Sequence, residues 1–185
     1  MLNKLANIFA KSNAVPEENT YAQIVAQARQ IPFYRDADVP DTLDGRFDMI
    51  VLHVFLLIHR TNAEGDEEST DYAQLVFDRM FMDMDESLRE MGVGDLSVGK
   101  KIKKMARVFY GRSQAYENAL KSEENTLDEV AKVVARNIYD DEKAVEKAKG
   151  LAAYIIAAVD HLAEQPIEDI LAGKISFPQF QGQVS

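Results

Sequence analysis

The sequence contains no cysteine. Disulfides and thiolate metal sites are thereby excluded, and a reducing cytoplasm suits such a chain. Long hydrophobic runs are missing too. The longest, Met49–Ile58, spans ten residues and includes His53, whereas a membrane-spanning helix needs about 20. Near the N-terminus Asn3, Lys4 and Asn7 interrupt the apolar residues, which excludes a secretory signal peptide. Proline and glycine are scarce, 5 and 9 in 185 residues, and fall mostly between periodic segments. No segment alternates apolar and polar residues for long, so no sheet is expected. Bases are outnumbered, 21 against 31 acids, for a net charge of −10, and that balance argues against general or sequence-specific nucleic-acid binding.

What remains is helical periodicity on a scale that can bury a core: 46% of residues are hydrophobic and 28% charged, as in ordinary globular proteins. Residues 1–13 read as a short amphipathic arm with Leu2, Leu5, Ile8 and Phe9 on one side. Pro16 suits the first turn of a helix that runs to about Gln30. Residues 31–42, with Pro32 and Pro40, read as an irregular connector. A second helix, from about Asp44 to Arg60, is apolar most of the way round and is expected at the centre of the fold. Further helices are expected from about Thr70 to Glu90, from Leu96 to Leu120, from Thr126, and from about Asp141 to Ala163. The third of these opens on a capping box, Thr126-Leu-Asp-Glu129. A short helix or turn covers 166–171. The expected fold is therefore all-α: a single-domain helical bundle of five or six helices over residues 14–172 with a buried central helix. Residues 173–185 form an extended C-terminal tail.

Several short patterns resemble chemical sites, and none is convincing. Gly94-Asp-Leu-Ser-Val-Gly-Lys100-Lys101 approaches a P-loop, but Lys101 stands where Ser or Thr must hold magnesium, and a helix precedes it where a strand is required. Asp78, Asp83, Asp85 and Glu86 form one acidic group, and Asp140, Asp141 and Glu142 another. Facing each other, two such groups hold magnesium and a diphosphate in prenyl-chain synthases. Yet Arg79 precedes Asp83 by four residues and Asp85 precedes Arg89 by four, the spacing of ordinary helix-surface ion pairs. His53 and His59 fall on different sides of a helix, and no serine sits in a nucleophile elbow. No catalytic residue, cofactor or metal ligand is expected.

Two features point instead to a partner. Met80, Met82, Met84 and Met91 are interleaved with Phe77 and Phe81. Methionine adapts to varied apolar surfaces. One helix face cannot bury both Met82 and Met84, so some of this set is exposed or at a contact. Residues 100–112 carry Lys100, Lys101, Lys103, Lys104, Arg107 and Arg112 and no acid, leaving −16 for the rest of the chain. Lys100, Lys104 and Arg107 share one helical stripe, with Lys103 beside it. Such a local inversion of sign fits an anionic partner: a ribosome, the surface of an anionic membrane, or an acidic protein surface.

The stretch from Tyr34 to Arg112 carries a longer likeness. It contains Pro40-Asp-Thr-Leu-Asp-Gly-Arg-Phe-Asp48 and then Leu52-His53. Phe77-Asp-Arg-Met-Phe-Met-Asp-Met-Asp-Glu-Ser-Leu-Arg-Glu-Met-Gly-Val-Gly-Asp95 follows. Val98-Gly-Lys-Lys-Ile-Lys-Lys-Met-Ala106 and Phe109-Tyr-Gly-Arg112 close it. Arg136-Asn-Ile-Tyr139 and the tail from Gly173 to Pro178 agree more weakly. This resembles the bacterial branch of the ubiquinol–cytochrome c chaperone family. The resemblance implies a non-catalytic chaperone for a nascent or newly inserted cytochrome b-like membrane subunit of the bc1 complex. It also implies work beside a partner assembly protein. The expected location is cytoplasmic or peripheral at the inner face of the cytoplasmic membrane. Alternatives are a magnesium-dependent helical enzyme of the prenyl-diphosphate type and a helical scaffold without an unfolded client.

Overall fold

A computed structural model describes residues 15–181. The proposed arm at residues 1–13 and the last four residues of the tail lie outside that range. The described residues are all-α, as expected, with six long helices and two of five residues. The second short one falls where a short helix or turn is expected, and the first is additional.

Helix α1 (Pro16–Ala28) begins on its proline, with Glu17 and Glu18 in the first turn, where acids favour the helix dipole. Helix α2 (Ile31–Arg35) lies inside the stretch expected to be irregular. Pro32 is tolerated because it sits in the first turn, and Phe33 anchors the helix by complete burial. Helix α3 (Leu43–Asn62) is capped by the Thr42 hydroxyl, which accepts from the Gly45 N–H. It buries nine consecutive residues, Met49 to Leu57, so every side of it faces protein. The expectation of a central helix is borne out.

Helix α4 (Glu67–Glu90) starts three residues before the expected Thr70 because Asp66 is the cap, accepting from the Ser69 N–H at 2.7 Å. Helix α5 (Asp95–Leu120) follows a four-residue link and runs back along α4. Helix α6 (Thr126–Asn137) opens where expected, but not through the capping box. The Thr126 hydroxyl donates back to the Ser122 carbonyl, and no side chain caps the helix. Helix α7 (Val145–Ala163) starts four residues after Asp141. Asp140 has a φ of 51°, which breaks the helix, and the Asp141 carboxylate takes the Lys143 N–H at 2.9 Å. Helix α8 (Ile167–Leu171) precedes the tail. Residues 174–181 form no helix or strand and bury Ile175 and Phe180. Gln165 fastens Ser176 through both its N–H and its carbonyl, at 2.9 Å each.

A polar chain crosses the core beneath this strap. His53 Nδ1 lies 2.7 Å from the Met49 carbonyl and Nε2 lies 2.8 Å from the Tyr154 hydroxyl. Gln27 donates to that hydroxyl at 3.0 Å and to the Pro178 carbonyl at 3.1 Å. The phenol must then donate to Nε2, so the imidazole carries its proton on Nδ1. Phe33, Tyr154 and Phe177 surround the ring, with centroids 5.1–5.7 Å away. Burial pushes this histidine from 6.5 down to about 4, against the smaller opposing pull of the Met49 carbonyl.

Between those two values the unfolded chain binds a proton that the folded chain refuses. The stabilising contribution is complete above the unfolded value and is lost as pH falls toward the folded one. Lowering the pH from about 7.5 to about 5 should therefore cost about 2 kcal/mol through this one residue. Urea midpoints at both pH values should show His53→Asn less stable throughout and less sensitive to acid. Equal acid sensitivity in the two proteins would assign it to other groups.

Candidate functional site

The core ends abruptly along the α4–α5 hairpin. Met80 and Phe109 belong to it, but between them only Leu88 and Val98 are buried, and neither joins the main cluster. Beyond Met84, residues 85–108 thus form a two-helix arm outside the main core cluster. Its base is firm. Phe77 packs against Phe81, Phe109 and Tyr110, with ring centroids 4.8–5.7 Å apart. Asp48 of α3 is buried and pairs with Arg112 of α5. A paired, largely desolvated carboxylate of this kind holds its partner helix in a fixed place, because removing either partner strands a charge.

The far end of the arm is also built deliberately. Gly92 takes a φ of 80° just past α4. Its N–H reaches the Arg89 carbonyl at 2.9 Å, and the Val93 N–H reaches Leu88 at 3.0 Å. That is a Schellman ending, and glycine is favoured there because it bears the left-handed φ without strain. Arg89 then pairs with Asp85 on its own helix and with Asp95 at the start of α5. Of the near P-loop sequence, Gly94 precedes α5 and Asp95 to Lys101 form its first turns.

The arm displays the basic residues. Lys100, Lys101, Lys103, Lys104 and Arg107 are all exposed, and no ion pair among the described residues involves any of them. Val98 and Phe109 are buried and mark the inward side of α5, with Ile102 and Met105 half-buried in phase. At 100° per residue, Lys100, Lys103, Lys104 and Arg107 lie opposite, and Lys101 stands to one flank. Two apolar residues bracket this face and escaped the sequence reading. Leu96 is 90% exposed and Tyr110 61% exposed. They lie four residues before Lys100 and three after Arg107, so the helical spacing that grouped the bases contained them as well.

The methionines divide. Met80 is buried, Met84 is half-buried against the core, and Met82 is 57% exposed on the outer side of α4. Met82 and Met84 therefore do not form one patch, and the bases occupy the other helix of the arm.

The acidic residues have local partners. Asp83 accepts from the Tyr21 hydroxyl at 2.8 Å, Asp78 accepts from Gln74 at 2.7 Å, and Asp85 is held by Arg89. Asp140, Asp141 and Glu142 sit in the turn between α6 and α7. Among the described residues, no group of three or more histidines and carboxylates is placed to hold a metal ion. His59 pairs with Glu117 at 2.7 Å, and His161 contacts the Ser176 hydroxyl at 3.1 Å. No described helix is long and apolar enough to cross a membrane.

A family model described as ubiquinol–cytochrome c chaperone matches residues 35–177, which takes in the arm, its base and the first part of the strap. The chain belongs to that family. The match runs past Arg112 through α6 and α7, where the sequence signal alone was weak. Curated relatives include ubiquinol–cytochrome c reductase complex assembly factor 1 of Drosophila melanogaster. It is 26% identical over 58% of this chain and 43% of its own length. The mitochondrial protein CBP3 of Saccharomyces cerevisiae is 26% identical over 78% of this chain and 44% of its own. This chain thus spans less than half the length of either. The crystal structure of the Cbp3 homolog from Brucella abortus is similar throughout: 39% identity, a TM-score of 0.81, 99% of this chain and 100% of that one.

Proposed function

We propose that this chain is a non-catalytic chaperone that attends a cytochrome b-like membrane subunit during assembly of the ubiquinol–cytochrome c reductase complex. The observation that carries the reading is the end-to-end likeness to the Cbp3 homolog at 39% identity, joined to the family match over residues 35–177. The chemistry of the surface is consistent with it. Asp78, Asp83 and Asp85, three of the acids that would serve a magnesium enzyme, are engaged by other side chains, whereas Met82 and the basic face of α5 are open to a partner. We assign partner contact to Lys100, Lys101, Lys103, Lys104 and Arg107, and, on separate sides of α4, to Met82 and Met84. The client and any companion assembly protein come with this proposal.

Deleting the gene in its own bacterium tests it. Membranes should lose most of the reduced-minus-oxidised absorbance of cytochrome b and most quinol–cytochrome c reductase activity, and a plasmid copy should restore both. Unchanged cytochrome b in the deletion strain would sink the proposal.

A further inference from the structure

We infer that the outward face of α5 is a docking surface for an anionic phospholipid bilayer. The face runs from Leu96 to Tyr110, about 21 Å at the rise of an α-helix. Its centre is Lys100, Lys103, Lys104 and Arg107, all exposed and without an ion-pair partner among the described residues. Its ends are Leu96 and Tyr110, 90% and 61% exposed. Charge alone selects an anionic partner, and most of this chain, at −16 outside the basic window, is repelled from one. Contact is therefore confined to this face.

The apolar ends decide which anionic partner. A phosphodiester backbone offers an exposed leucine nothing. The boundary between headgroups and acyl chains accepts it, while lysine and arginine stems lie along that boundary with their charges in the headgroups. Tyrosine is at home at the same level. The placement on a two-helix arm matters as well. The basic centre of the face lies opposite the buried side of α5, Tyr110 at its end also touches Phe77 of α4, and Asp95, the acid beside Leu96, is taken by Arg89. The arm's buried contacts lie on the opposite side of α5, at Val98 and Phe109, so lying on a membrane disturbs none of them.

The inference shares its residues with the partner surface proposed above but does not depend on the client, because it can be tested with the purified chain and lipid alone. Co-sedimentation at low salt with vesicles of phosphatidylglycerol and phosphatidylethanolamine should show binding at least about tenfold tighter than to phosphatidylcholine, and added salt should weaken it. Reversing the four central charges together (Lys100→Glu, Lys103→Glu, Lys104→Glu, Arg107→Glu) should remove that preference. Leu96→Gln leaves the charge untouched and should still weaken binding several-fold. Circular dichroism should report folded protein for both variants, since all five positions are exposed.

Equal binding to neutral and anionic vesicles overturns the inference, as does undiminished binding by the charge-reversed protein. So does a Leu96→Gln protein that binds as wild type, which would leave a purely electrostatic face. Salt-sensitive binding to ribosomes with none to vesicles would reassign the face to RNA. None of these results bears on cytochrome b assembly, which the deletion experiment reads separately.

Discussion

Leu52→Asp is expected to leave the chain unable to fold. Leu52 is fully buried in the middle of nine consecutive buried residues of α3, and α1, α4, α5 and α7 all pack on this helix. Rotation cannot bring the new carboxylate to water, because no side of the helix at that level faces solvent. Two costs then add. Loss of the leucine side chain is worth about 2–5 kcal/mol, and an unpaired carboxylate either stays charged at great cost or takes up a proton well above its usual range, for several more. Total stability of a domain this size is about 5–15 kcal/mol, so the sum consumes most or all of it. Leu43→Asp is the control. It lies on the same helix, 65% exposed in the first turn, where an added acid favours the dipole, and it should change stability by no more than about 0.5 kcal/mol. Soluble yield and the far-ultraviolet circular dichroism of the pair give the result. A cooperative urea transition for Leu52→Asp near the wild-type midpoint would mean that α3 is not the centre of the core.

That prediction was available before any coordinates, and the reason is physical. Burial of α3 on all sides leaves a local trace, because nearly every residue from Met49 to Ile58 must be apolar. The phase of the other helices is local in the same way. Val98, Ile102, Met105 and Phe109 do share the inward face of α5. Depth is not local. Val98 and Phe109 are buried while Ile102 and Met105 are only half-buried.

Helix α4 starts three residues earlier than the sequence suggests because Asp66 caps it, and α6 opens at Thr126 as expected although that hydroxyl bonds backward to Ser122 rather than forward. The bases of the candidate surface were legible as charge. That Leu96 and Tyr110 frame them was legible only as spacing, since an exposed leucine reads the same as a buried one. Contacts such as His53 with Tyr154, 101 residues apart, and Asp48 with Arg112, have no sequence signal in one chain.

Gly45 is such a case, and Gly45→Ala is expected to destabilise the protein by about 3 kcal/mol or more. Helix propensity alone predicts the opposite, a gain of about 1 kcal/mol for alanine over glycine inside a helix. The difference is a close approach of backbone. A Cβ on Gly45 would stand 2.1 Å from the Pro40 carbonyl oxygen and 3.1 Å from its carbon. The obstacle is main chain, and the proline ring locks its own φ, so the neighbour has little freedom to give way. Moving either side also pulls on the first turn of α3. The Gly45 N–H is held by the Thr42 hydroxyl at 3.1 Å, and three residues on, Asp48 pairs with Arg112 and fixes the base of the arm. Glycines in α5 supply the contrast. Nothing lies within 4 Å of a Cβ built on Gly99 or Gly111, and both are helical without a left-handed φ. Gly99→Ala and Gly111→Ala should therefore each stabilise by about 0.5–1 kcal/mol. One substitution type, measured by urea midpoints at three positions, should thus change sign between α3 and α5. A Gly45→Ala protein as stable as wild type would show that the segment from Pro40 to Thr42 does not lie against the start of α3.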